Sequence, residues 1–323
     1  MKNLPVEKNS IINIALTINN KYSKQASVTI VSLLNNLSKD SFANIFIISN
    51  DINKKNKDKL LDLEKNNNCS LNFIKVDDSL NNLFIGVKTH GYISLNTYHR
   101  LILDQILPSD VNKVIYIDSD TLIFSDIKEL YNTDISSFYL GAVLDIGAKK
   151  QLKKSKQNID LFYFNAGVLL LNINKIRKEN FHKQIIEYIE KNRDNIYLGD
   201  QQILNELTHN KVYPLDKKWN IQISKYSSRS YLTCRPGIIH FITDQKPWNI
   251  SSMQLHKHTW LKHLQMTSFK IKNKKYIDKV YKYGDILSII TLFKNRPFTL
   301  FRLKFWECLL FDLKYYLKNL YSI

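Results

Sequence analysis

Cysteine is scarce. Cys69, Cys234 and Cys308 are scattered over 323 residues, a spacing that suggests neither a disulfide framework nor a zinc knuckle. With 8 glycines and 6 prolines, the chain is neither collagen-like nor linker-rich. No stretch reaches the roughly 18 uncharged apolar residues that a membrane span requires. The opening MKNLPVEKNSIINIALTINNKYS has a short apolar run that continues into polar residues, so the basic, apolar and small-residue pattern of a secretory signal is missing. Acidic residues are in the minority, 29 against 47 Lys and Arg, for a net charge of +18. Together these absences lead us to expect a cytosolic protein with a soluble core.

Apolar side chains are plentiful. Hydrophobic residues make up 44% of the chain and aromatics 12%, enough for a sizeable core and incompatible with charged disorder. The length fits one large α/β domain, or one such domain with an appendage. Charge is unevenly placed. Residues 262–323 hold 13 Lys and Arg against 4 Asp and Glu, a net of +9, and 13 of the 38 Phe, Trp and Tyr. This shift in composition sets the expected boundary, with a catalytic-type domain at 1–261 and a basic, aromatic-rich tail at 262–323.

Short apolar runs alternate with helical patterns. Residues 11–18, 43–50, 70–76 and 113–120 read as strands. A helix runs through Leu37 with Ala26, Ile30, Leu33 and Leu34 at three-and-four spacing, and further helices are expected at 52–68 and at 94–107, before Pro108. The order indicates a mostly parallel sheet with helices on both faces. Ligands bind such sheets beyond the carboxyl ends of the strands, so the polar tails at 19–22 and 118–120 should face one crevice. Downstream, 141–145, 164–172 and the stretch ending at His240 are strand-like. A long helix is expected at 175–193, and a short one at 200–209 with Asp200 as its N-cap.

Asp118-Ser119-Asp120 closes a fully apolar strand. Two carboxylates one residue apart can hold a divalent ion, and oxygen ligands at an open site suit Mn²⁺ or Mg²⁺, which then bridge a diphosphate. The same aspartates could instead cap the following turn. His240 ends another strand and offers a third ligand, or it is an ordinary interior histidine.

The ordered series of motifs goes further. It runs Asn19-Asn20-Lys21-Tyr22, Asn96-Thr97-Tyr98-His99-Arg100-Leu101, IYIDSDTLI at 116–123, GAVLD at 141–145, FNAGVLLLN at 164–172, DQQILN at 200–205 and His240-x5-Lys246-Pro247-Trp248. Over about residues 11–250 this resembles the retaining glycosyltransferases of family 8, which have the GT-A fold. Within that family it is most similar to bacterial galactosyl- and glucosyltransferases that extend lipopolysaccharide or lipooligosaccharide cores. The resemblance implies transfer of a hexose, galactose or glucose, from a UDP-sugar to a saccharide acceptor.

The resemblance also implies roles. Asp118, Asp120 and His240 match manganese ligands. Tyr22 matches the ring that stacks on uracil, Asn19 the group at the base edge, and Lys246 a lysine on the diphosphate. Thr17, Arg100, Ser119, Asp145, Asn165, Ala166, Gly167, Asp200, Gln201 and Thr243 complete the implied donor site. Gln201 matches the position facing the anomeric carbon. Because an amide is a poor nucleophile, front-face attack is expected, with Asp200 the nearest carboxylate for a covalent alternative. Two departures stand out: Asn19-Asn20-Lys21 where the family often has two acids and an asparagine, and Thr243 where it has glycine.

On a helical wheel, 303–320 gathers Leu303, Trp306, Leu309, Leu310, Leu313, Tyr316, Leu317 and Leu320 on one face, opposite Lys304, Glu307, Lys314 and Lys318. A basic amphipathic helix reads as attachment to a membrane surface, here the cytoplasmic leaflet of the inner membrane, or as a helix packed on the domain. The positive charge also raises nucleic-acid binding, but no recognised nucleic-acid module is present and none is expected as a partner. The other competing readings are an acceptor that is a protein, a capsule or a soluble glycan, and a silent fold that binds nucleotide sugar without turnover.

Overall fold

In a computed structural model, which describes residues 10–87, 95–145, 147, 162–223, 236–242, 246–249 and 256–272, the first apolar run forms strand β1 (Ser10–Thr17). Its side chains alternate between two cores: Ile12, Ile14 and Leu16 join one buried cluster and Ala15 the other. Burial on both faces is what an uninterrupted apolar parallel strand requires. The other strands are β2 (Ser41–Ile48), β3 (Cys69–Ile74), β4 (Val114–Ile117), β5 (Thr121–Ile123), β6 (Leu140–Leu144), β7 (Phe164–Leu171), β8 (Val212–Pro214), β9 (Ile221–Ile223) and β10 (Ile238–Phe241). Seven build a sheet in the order β3-β2-β1-β4-β7-β6-β8, and β5-β10-β9 form a small second sheet. In the large sheet β7 runs antiparallel to β4 and β6, and the remaining pairs are parallel.

The helices are α1 (Ser23–Leu34), α2 (Lys54–Leu61), α3 (Asp78–Asn82), α4 (Leu103–Ile106), α5 (Lys128–Tyr131), α6 (Ile173–Lys178), α7 (Phe181–Asn192), α8 (Gly199–Leu207) and α9 (Lys257–Gln265). Side chains from α1, α2 and α5 cover one face of the sheet, and those from α4, α6, α7 and α8 cover the other. The α1 helix is buried on nearly every side, yet it carries Ser27, Thr29 and Ser32. Thr29 Oγ1 donates to the carbonyls of Ser119 and Thr121, and Ser32 Oγ accepts from the Ile123 amide. Those hydroxyls satisfy the backbone of the turn that bears the paired aspartates.

Local structure departs from the sequence reading in several places. Residues 95–102 form a 3₁₀ helix that becomes α-helical only at α4, because consecutive residues Tyr98, His99 and Arg100 are all buried. The long helix expected at 175–193 is broken between α6 and α7 at Asn180, whose φ of 48° is a conformation asparagine tolerates. Gly199 starts α8 at φ +64°, so Asp200 is not the N-cap but lies in the first turn. Leu261 falls inside α9, which packs in the third core with Trp260 and Leu264 against Val28 of α1. The amphipathic pattern at 303–320 and Thr243 lie outside the described residues.

Candidate active site

The polar ends of β1, β4 and β6 converge with the start of β7. Neighbouring parallel strands β1 and β4 bring Thr17 beside Tyr116, whose hydroxyl lies 2.9 Å from Thr17 Oγ1 and donates to Asp118 Oδ1 at 2.7 Å. The Asp118 amide donates to the carbonyl of Gly167 at 2.8 Å, so β7 fixes where the first aspartate sits. At the next edge the Asp145 amide donates to the Tyr163 carbonyl, also at 2.8 Å. The crevice therefore lies at the carboxyl ends of the parallel strands, as the topology requires.

Ligand atoms of Asp118, Asp120 and His240 all lie within 4.8 Å of one another. His240 Nε2 is 3.2 Å from Asp120 Oδ1 and 3.8 Å from Asp118 Oδ2. Asp120 Oδ1 is buried and, among the described residues, has no partner besides its 3.2 Å approach to His240 Nε2, a costly arrangement for a carboxylate oxygen unless that ring is protonated or a cation completes it. Two carboxylates and an imidazole suit a divalent transition ion. Gly167 makes room for them. A Cβ there would stand 2.2 Å from His240 Cε1 and 2.9 Å from Asp118 Oδ2, so only glycine permits this approach. The residues fit a bound metal.

Fixed positive charges flank the cluster. Lys246 Nζ donates to Asp120 Oδ2 at 2.7 Å and to the Phe241 carbonyl. Burial pushes the Asp120 carboxyl up, but Lys246 and His240 outweigh it and hold the group below the usual carboxylate range. Arg100 is buried, stacks over the Tyr116 ring, and pairs with Asp118 Oδ1 at 2.9 Å and Asp200 Oδ2 at 2.8 Å. Burial alone would lower its pKa; the two aspartates raise it instead. Burial likewise lifts Asp200 to about 6, against the opposing pull of Arg100.

Gln201 faces the same crevice from α8. Its Oε1 accepts from the Ala166 amide at 3.1 Å and from Asn165 Nδ2 at 3.3 Å, while its Nε2 donates to Asp145 Oδ2 at 3.1 Å. Asn165 also reaches Asp145 Oδ2 at 3.3 Å. At the β1 edge, Asn19 Oδ1 accepts from the Tyr22 amide at 3.1 Å, and the Tyr22 ring stands edge-on to Trp248. Ser119 is buried in the turn between the aspartates. These contacts link Thr17, through Tyr116, with Arg100, Asp118, Asp120, Asp145, Asn165, Ala166, Asp200, Gln201, His240 and Lys246, while Asn19 and Tyr22 contact each other and Tyr22 meets Trp248. Asn220 was missed as a site residue, its only signal being a Lys-Trp-Asn corner. Its Oδ1 lies 3.1 Å from His240 Nδ1, and its Nδ2 donates to Asn165 Oδ1 at 2.9 Å.

A sequence profile described as "Glycosyl transferase family 8" matches residues 13–252. The chain belongs to that family. A putative glycosyltransferase of Haemophilus influenzae is 31% identical over 289 residues, covering 82% of this chain and 86% of that protein. General stress protein A of Bacillus subtilis is 26% identical over 279 residues, 82% of this chain and 96% of that protein. A lipopolysaccharide 1,3-galactosyltransferase of Salmonella typhimurium is 29% identical over 165 residues, about half of each chain (47% and 49%). Among solved structures, the galactosyltransferase LgtC, in complex with donor and acceptor sugar analogs, is similar with a TM-score of 0.72 at 23% identity, covering 82% of this chain and 99% of that one. The GT-A fold expected from the motifs is the fold observed, and the family member is a transferase.

Proposed function

We propose that this family 8 enzyme moves a hexose, galactose or glucose, from a UDP-sugar to a saccharide acceptor with retention of configuration and with a divalent cation. The observation that carries the reading is the Asp118, Asp120 and His240 cluster at the carboxyl edge of the sheet, with a buried oxygen on Asp120 that has no partner among the described residues besides His240. A Mn²⁺ or Mg²⁺ ion held by these three residues would act as a Lewis acid on the diphosphate leaving group. Lys246, beside Asp120, brings a second positive charge to the same phosphate. Asn19 has its Oδ1 committed to the Tyr22 amide, so the amide NH₂ is the edge it can present, which suits the carbonyl oxygens of uracil.

Front-face attack fits the hydrogen bonding. The Gln201 carbonyl already accepts from two N–H groups, which draws electron density away from an oxygen that is a poor nucleophile to begin with. Asp200 is tied to Arg100 in a buried ion pair. The acceptor hydroxyl then enters on the leaving-group side, and a UDP oxygen takes its proton. For the acceptor we favour a lipopolysaccharide or lipooligosaccharide core, supported by the Salmonella relative's lipopolysaccharide activity. No helix among the described residues is long and apolar enough to cross a membrane. A lipid-linked acceptor would be met by peripheral attachment through the basic tail at the cytoplasmic face.

The test is a screen of UDP-glucose and UDP-galactose with Mn²⁺, with and without a lipooligosaccharide acceptor. Acceptor-stimulated UDP release is expected with one of the two donors. Absence of UDP release from both would overturn the enzyme reading in favour of silent nucleotide-sugar binding.

A further inference from the structure

We propose that Asn220 is a positioning residue that sets the tautomer of His240, turning the lone pair of Nε2 toward the cation site. This rests on the reading of Asp118, Asp120 and His240 as cation ligands. An imidazole can bind a metal through a given nitrogen only if that nitrogen carries no proton, and the hydrogen bond at the other nitrogen decides which one does.

The direction of the hydrogen bonds is fixed by a backbone group. The Gly167 amide can only donate, and it lies 3.0 Å from Asn165 Oδ1. That contact orients the Asn165 amide, placing its Nδ2 toward Asp145 Oδ2 and Gln201 Oε1, both 3.3 Å away. The Gln201 end agrees, because its Oε1 accepts from the Ala166 amide, another obligate donor. With Asn165 Oδ1 an acceptor, the Asn220 nitrogen at 2.9 Å must be the donor. Asn220 therefore presents its oxygen to His240 Nδ1 at 3.1 Å, and in the neutral ring Nδ1 must carry the hydrogen. Nε2 is left with its lone pair between Asp120 Oδ1 and Asp118 Oδ2.

The placement is well supported. Asn220 is 2% exposed, so bulk water has little access to take over its role. It ends the 3₁₀ turn Lys217–Asn220, which Asp216 caps through the Lys218 amide at 2.8 Å, and it leads straight into β9 beside β10. The opposite tautomer would set the Nδ1 lone pair against the Asn220 oxygen, a clash nothing relieves, whereas the Nε2 lone pair facing Asp120 Oδ1 and Asp118 Oδ2 is relieved when a cation binds between them. The same amide chain ends on Asp145 and Gln201, so the histidine and the implied donor-sugar residues share one oriented network.

The experiment uses full-length protein labelled with ¹⁵N-histidine, free of metal and at a pH raised until the ¹⁵N shifts of the His240 ring themselves report a neutral imidazole. Long-range ¹H–¹⁵N spectra report the tautomer, with the His240 signals assigned by their loss in His240→Gln. Wild type should show Nδ1–H. Asn220→Asp keeps an acceptor for that hydrogen, although it loses the one donated to Asn165 Oδ1, and should retain the tautomer and bind Mn²⁺, followed by electron paramagnetic resonance of the free ion, more tightly than Asn220→Leu. Asn220→Leu keeps the bulk without the acceptor. It should mix the tautomers and weaken Mn²⁺ binding by roughly 10- to 100-fold. Nε2–H in the wild type, or an Asn220→Leu protein with unchanged tautomer and affinity, overturns the proposal. Should Asn220→Leu fail to fold, the wild type and Asn220→Asp decide: Nδ1–H in both supports it, and Nε2–H in either overturns it. A wild-type protein with Nδ1–H that binds no Mn²⁺ would overturn the cation reading beneath it, a result separable from a wrong tautomer.

Discussion

Lys246 holds its ammonium 2.7 Å from Oδ2 of Asp120. The other carboxylate oxygen is buried, with no partner among the described residues besides His240 Nε2 at 3.2 Å. In the proposed metal site, this one carboxylate would offer one oxygen to a fixed cation and the other to a metal. Asp120→Ala and His240→Ala should each lower metal-dependent transfer by about a hundredfold or more, with circular dichroism unchanged. Activity at the wild-type level in both variants after chelation would contradict the assignment.

Lys246→Met separates the two cations. Removing the ammonium relieves repulsion against a bound divalent ion, so Mn²⁺ affinity measured without nucleotide should hold or rise. The donor KM should increase by about tenfold or more, because a charge on the diphosphate is lost. Isothermal titration and steady-state kinetics together check this. Weaker Mn²⁺ binding with an unchanged donor KM would reverse the roles.

Gln201→Ala should lower kcat more than it raises the donor KM, as expected for a group acting mainly in the transition state. Gln201→Glu should not accumulate a sugar-bound protein. Intact-mass and peptide spectra of the wild type with donor should carry no hexose on Asp200; a hexose there would establish double displacement.

Asp200 makes stability pH-dependent. Its carboxyl lies at about 6 in the folded protein against an ordinary value of 3.8, raised by burial against the pull of Arg100. Between those values the folded chain binds a proton that the unfolded chain has released. The contribution is therefore complete below about 3.8 and lost as pH rises through about 6, by up to ~3 kcal/mol. Denaturant titrations of wild type and Asp200→Asn should show wild type losing ground to the variant between pH about 4 and 7. A constant difference across that range would place the Asp200 carboxyl in the normal range.

Much of the site was legible because it sits at strand ends. Asp118 and Asp120 follow an apolar run, and His240 closes another, so pattern alone placed them at sheet edges. Asn220 was not legible: its partners His240 and Asn165 are 20 and 55 residues away, and the Lys-Trp-Asn corner that contains it says nothing of either. β5, three residues long, was not expected as a separate strand because its register comes from β10, more than a hundred residues later. The break at Asn180 was hidden because asparagine at an αL position looks like any polar residue on a helix surface.

Retaining, metal-dependent transfer from a UDP-hexose stands or falls on the configuration of the first-formed product. Proton NMR of the reaction with the accepted donor, Mn²⁺ and acceptor should show the α-linked product forming first, and no product once the metal is chelated. A β-linked first product, or an undiminished rate under chelation, would contradict it.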